Sequence, residues 1–150
     1  MKNLLINSNL SKIKNPEDVN FLFCHYSEEG ERVVAGTNNG QFFVTNPTDV
    51  SMFSTTQLSQ LKRAMNEDWF SNFVLINGNT IAVNKKNLIG FEYLVYPYHH
   101  LTELNLYFKN GESQEFDLPK FRKSDKNKLK DCIDLYSKKT HANDGAEMGK

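Results

Sequence analysis

Apolar and polar residues fall mostly into short blocks or alternating runs, and helical spacing appears in only two windows. The pattern therefore predicts strands before helices. Phe21-Leu22-Phe23-Cys24-His25-Tyr26 reads as a strand, Glu28-Glu29-Gly30 as a turn, and Arg32-Val33-Val34-Ala35-Gly36 as the partner strand. Asn38-Asn39-Gly40 turns the chain into Gln41-Phe42-Phe43-Val44, which completes a meander. Phe73 to Ile76 and Thr80 to Val83 flank Asn77-Gly78, a dipeptide that tolerates positive φ in a tight turn. Leu88 to Tyr96 and Leu101 to Phe108 are two further strands joined across Pro97-Tyr98-His99-His100, and Lys109-Asn110-Gly111 leads into Gln114 to Leu118. Residues 1–19 form an arm in which Leu4, Leu5, Ile6, Leu10 and Ile13 follow no single period.

The two helical windows have different signals. Ser54 and Gln57 have capping-box spacing, and Leu58, Leu61 and Met65 follow at helical intervals, so a helix is expected from about Thr55 to Asn66, with Trp69, Phe70 and Phe73 closing it against the core. After Pro119, the stripe Leu129, Cys132, Ile133, Tyr136 marks an amphipathic helix from Ser124 or Asp125 to Lys138. Residues 140–150 are polar and are expected to be a disordered tail. No repeat or composition shift marks a boundary inside 20–139, so the expectation is one mostly-β (α+β) domain with antiparallel strands, two helices and a C-terminal amphipathic helix.

Charge changes this picture only locally. Lys plus Arg and Asp plus Glu number 18 each, so the whole chain exerts no net attraction on a phosphate backbone. The stretch from Lys109 to Lys139 is nevertheless biased: Lys109, Lys120, Arg122, Lys123, Lys126, Lys128, Lys130, Lys138 and Lys139 outnumber Glu112, Glu115, Asp117, Asp125, Asp131 and Asp134. The first seven residues hold an apolar run too short for a secretory signal, and no run is long enough to span a bilayer, so a cytoplasmic location with no membrane association is expected. Cys24 and Cys132 are the only cysteines, and neither has a nearby second cysteine for metal spacing.

Candidate chemistry is sparse. Cys24 and His25 are adjacent on a strand and so point to opposite faces, which prevents a nucleophile–base pair. His99-His100 has no HxxxH or CxxC companion to complete a metal site. Glu112, Glu115 and Asp117 line one strand edge and read as a solvated row, and the dispersed glycines build no phosphate-cradling loop. The expectation is a non-enzyme without cofactor or metal.

The segment Phe73-Val74-Leu75-Ile76-Asn77-Gly78-Asn79-Thr80-Ile81-Ala82-Val83-Asn84-Lys85-Lys86-Asn87-Leu88-Ile89-Gly90-Phe91 resembles the LytTR family of bacterial DNA-binding regulators. The resemblance rests on a Phe, a short polar loop, a strand ending Val-Asn and the basic positions that follow it. Leu106-Tyr107-Phe108-Lys109-Asn110-Gly111 looks like the family's next strand and turn, and the similarity covers about residues 20–136. It implies a strand-rich domain whose loops enter successive grooves of duplex DNA. It also implies nucleic-acid contacts from Arg32 near the first hairpin loop, Asn79 in the polar loop, Lys85 and Lys86 after the strand, and Lys120, Arg122 and Lys123 after the last strand. Asn reads adenine bidentately, while Lys and Arg take guanine or phosphate. Two positions depart from the family pattern: Gly78 stands where His is usual, and Pro119 occupies or adjoins the place of an expected Arg. Taken singly, Arg32 is also a charge beside Glu31, Asn79 also turn chemistry, and the five basic residues also solvated surface.

A rival reading is a protein-interaction module, an inhibitor or adaptor, that binds no DNA. Zero net charge and Tyr93, Tyr96, Tyr98 and Tyr107, expected near one loop, motivate it. A homodimer is compatible with both readings.

Overall fold

A computed structural model describes residues 15–28, 30–44 and 70–133. These residues form two antiparallel sheets and a C-terminal helix, and the chain divides into two compact units between Asn84 and Lys85. Asn84-Lys85-Lys86-Asn87 reads in sequence like any hairpin turn, which is why no boundary is legible there. The helix expected over 55–66, Trp69, the arm up to residue 14 and the tail lie outside the described residues. Among the described residues, no helix is long and apolar enough to cross a membrane.

The first unit opens with a 3-10 turn at Pro16–Asp18 and holds β1 (Val19–Ser27), β2 (Gly30–Thr37), β3 (Phe42–Val44), β4 (Phe73–Ile76) and β5 (Ile81–Asn84), ordered β3-β2-β1-β5-β4. The expected meander is present as β1-β2-β3. Both faces of this sheet are apolar. One row across the strands is Ala35, Leu22, Ala82 and Leu75; the next places Gly36 beside Phe21, Val83 and Val74. Val19, Leu22, Val33, Ala35, Phe70, Phe73 and Ala82 make one buried cluster. Each such Leu or Phe contributes about 1.5–3 kcal/mol on leaving water. Gly36 is required by its neighbour: a Cβ there would lie 2.2 Å from the Phe21 ring. The buried Asn84 side chain donates to the backbone carbonyls of Val19 (2.8 Å) and Pro16 (3.3 Å), tying the end of β5 to the start of β1.

The second unit holds β6 (Leu88–Tyr96), β7 (Leu101–Phe108) and β8 (Ser113–Leu118), paired in that order, followed by α1 (Lys123–Cys132). The strand ends match the sequence expectation at β6 and β7. Pro97–His99 forms a 3-10 turn between them, closed by His100 in the left-handed region. Burial along β7 alternates strictly, so Thr102, Leu104, Leu106 and Phe108 face inward while Leu101, Glu103, Asn105 and Tyr107 face the other way. The α1 helix buries Asp125 and Leu129, four residues apart on one face, and Ile133 just past its end. Lys126 joins it to the inner face of the sheet, with its ammonium 2.8 Å from the Tyr93 hydroxyl and 4.8 Å from the ring centroid. Continuation of this helix toward Lys138 lies outside the described residues.

Candidate nucleic-acid interface

The residues expected to contact DNA occupy three different settings. In the first unit, Asn79 is exposed at the tip of the β4–β5 hairpin. Asn77, Gly78 and Asn79 are all left-handed, with φ of 54°, 63° and 64°, so the tip is a four-residue loop and not the two-residue turn that Asn77-Gly78 suggests. Asn tolerates this region because its short polar side chain bonds locally. Asn77 Nδ2 donates to Thr80 Oγ1 at 2.9 Å, and that hydroxyl donates back to the Asn77 carbonyl at 2.7 Å, which closes the loop. Arg32 sits on β2 opposite His25, two residues beyond Gly30, so it belongs to the strand and not to the hairpin loop. Its neighbour Glu31 is buried and takes a hydrogen bond from Tyr26, whose hydroxyl is pushed up to about 12, first by burial and then by the charges of Cys24 and Glu31. Cys24 packs against the core of this unit while His25 is exposed.

In the second unit, Lys85 and Lys86 are exposed ahead of β6. They lie at the sheet end where the Asn87 carbonyl accepts from the Lys109 amide at 2.9 Å. Lys85 is close enough to the end of α1 to draw the Cys132 thiol down, against a stronger upward push from burial. The chain leaves β8 at the other end, where Leu118 pairs with Thr102, and reaches Lys120 two residues later. Roughly 20 Å of strand, at about 3.3 Å per residue, lies between the two ends of this sheet. Lys120, Arg122 and Lys123 are neighbours along the chain on either side of Phe121, and Lys85 and Lys86 precede β6.

Phe121 explains how the second set is presented. Its ring meets Phe91 edge-on (6.0 Å, 86°) and Tyr93 (5.1 Å, 67°), anchoring one side chain inward while Lys120, Arg122 and Lys123 remain exposed. Arg122 is the N-cap residue of α1 and makes no side-chain cap, so the first-turn amides and three cations share this helix end with the single buried acid Asp125. Cations there oppose the helix dipole by about 0.3–1 kcal/mol each, whereas an anion is favoured.

The register of the second sheet assembles a further surface. The outer face of the β6-β7-β8 sheet carries the rows Leu94–Glu103–Asp117 and Glu92–Asn105–Glu115. Carboxylate oxygens of Glu103, Glu115 and Asp117 lie within 4.8 Å of one another, supplying three of the six to eight oxygens that calcium takes. Glu112 lies apart, in the turn before β8. Tyr96 donates to Glu103 at 3.1 Å and Tyr107 donates to Glu92. These bonds hold both hydroxyls protonated, raising Tyr96 and taking Tyr107 up to about 12, the bond to the carboxylate being the larger cause in each case. The four tyrosines expected around one loop are dispersed: Tyr93 is buried beneath α1, Tyr98 is exposed at the β6–β7 turn, and Tyr107 lies at the far end of its strand. His99 and His100 are exposed on the same turn as Tyr98.

In comparisons with protein-family models, curated proteins and solved structures, no match was found.

Proposed function

We propose that this protein is a regulator that binds duplex DNA, as its resemblance to LytTR domains implies, with Lys120, Arg122 and Lys123 as phosphate contacts. The observation that carries the reading is the clustering of three exposed cations at the uncapped start of α1, held there by the Phe121 anchor. Cations at that helix end lower stability in isolation, and a phosphate reverses the sign of the interaction. Asn79, on its closed hairpin tip, is a separate contact of the first unit and suits the bidentate reading of adenine. Lys85 and Lys86, exposed ahead of β6, add further phosphate contacts.

A second reading, the protein-interaction module, is favoured by one feature: the outer face of the second sheet is anionic, through Glu92, Glu103, Glu115 and Asp117. DNA is repelled from such a face, so on the first reading the duplex approaches the basic segment and not the sheet. Fluorescence anisotropy with a labelled random-sequence duplex separates the two. Micromolar or tighter binding at low salt that weakens linearly in log–log form is expected for the regulator. No binding at low salt would leave the interaction module.

A further inference from the structure

The four sheet edges are not equally protected. Strand edges offer unpaired backbone donors and acceptors to any passing strand, and proteins blunt them with short length, charges, proline or bulges. In the first unit the edges are β3 and β4, of three and four residues. In the second, β8 carries exposed Glu115 and Asp117 and is stopped by Pro119. The remaining edge, β6, is nine residues long with Glu92 as its one charge. A bulge between Leu88 and Gly90 blunts its start and Pro97 stops its end, which leaves Phe91 to Tyr96 open, and no described strand pairs with that side. Leu94 and Val95 are 40% and 48% exposed at this stretch, and Tyr98 just beyond it is 94% exposed.

We propose that β6 pairs antiparallel with β6 of a second copy, about a two-fold axis through Leu94, making one continuous six-stranded sheet. An open edge is completed by an extended strand, so its hydrogen-bonding demand specifies a strand as occupant. The sequence of β6 suits its own copy. A two-fold axis perpendicular to the sheet keeps each face on its own side, so paired residues must share parity. Centring on Leu94 meets this condition and sets Leu94 against Leu94, Val95 against Tyr93, and Tyr96 against Glu92. The exposed apolar pair is thereby covered, and the two Glu92 carboxylates are kept apart. The pairing is independent of DNA binding, although it would double the basic segments offered to one duplex.

Sedimentation equilibrium of the full chain across the micromolar range tests it. The expected result is a mass rising from 17.3 kDa toward twice that value with concentration. Leu94→Lys places like charges at the axis and is expected to abolish the dimer. An equimolar mixture of Leu94→Lys and Leu94→Glu chains is expected to restore it, because only a self-apposed position converts repulsion into attraction. Should either variant misfold, amide exchange of the wild-type chain decides: protection at 92–96 should increase with protein concentration. A wild-type chain that stays at 17.3 kDa, a dimer that survives Leu94→Lys unchanged, or exchange at 92–96 that is independent of concentration overturns the pairing.

Discussion

The two sheets are built from similar strands and differ in what they leave for water. In the first unit, successive cross-strand rows are apolar on both faces, and β5 is buried at every residue. In the second, inner and outer faces separate cleanly: Leu104, Leu106, Phe116 and Leu118 against Glu92, Glu103, Glu115 and Asp117. Where a sheet is apolar on both faces it has no polar face to display, so the polar groups of this unit fall at strand ends and loop tips, such as His25 with Arg32 and Asn77–Asn79. A one-sided sheet carries chemistry on its open face, its edges and the segments that flank it.

The contrast is tested most strongly on the inner face of the second sheet. Leu104 is fully buried, and Leu104→Ala is expected to destabilise by about 2–5 kcal/mol in denaturant unfolding, whereas Leu94→Ala on the open face, at concentrations where the chain is monomeric, should change stability by about 0.5 kcal/mol or less. A loss at Leu94 equal to that at Leu104 would mean that the outer face is not open. In the first unit, Asn84→Ala removes the side-chain donor to the Val19 and Pro16 carbonyls, of which Pro16 keeps the Val19 amide. About 1–3 kcal/mol of destabilisation is expected, measured the same way.

The smallest effect belongs to the tyrosine–carboxylate pairs. Tyr107 ionises at about 12 when folded and at the ordinary value of 10 when unfolded. The neutral hydroxyl is therefore the form that folding favours, and its contribution is complete below pH 10 and lost as pH rises from 10 through about 12. The group is partly exposed, so Tyr107→Phe should cost at most about 1 kcal/mol. An absorbance titration of phenolate should show two tyrosines ionising near 12, Tyr26 and Tyr107, and one after the substitution. Ionisation of Tyr107 in the ordinary range would remove the bond to Glu92 from the account.

Much of the fold was legible because strands of this kind announce themselves by parity and by their turns. The bounds of β6 and β7 follow directly from the apolar alternation and from Pro97 and Lys109-Asn110-Gly111. The Asn77-Gly78 turn was legible as a reversal but not as a run of three left-handed residues, because Asn79 reads equally well as a strand residue. The basic segment was legible from composition, yet its presentation depends on Phe121 finding Phe91 and Tyr93, contacts that reach 28 and 30 residues back along the chain. The acidic face was missed because Glu92 and Glu103 stand alone in sequence, and only the register brings them beside Glu115 and Asp117.

The central claim is that Lys120, Arg122 and Lys123 grip phosphate. Its most direct test is the salt dependence of duplex binding by the wild-type chain and by the Lys120→Gln, Arg122→Gln, Lys123→Gln triple variant. Neutralising three phosphate contacts is expected to weaken binding and to reduce the slope of log K against log salt by about 2.7, at about 0.9 per contact. A triple variant with the affinity and slope of the wild type would contradict the claim.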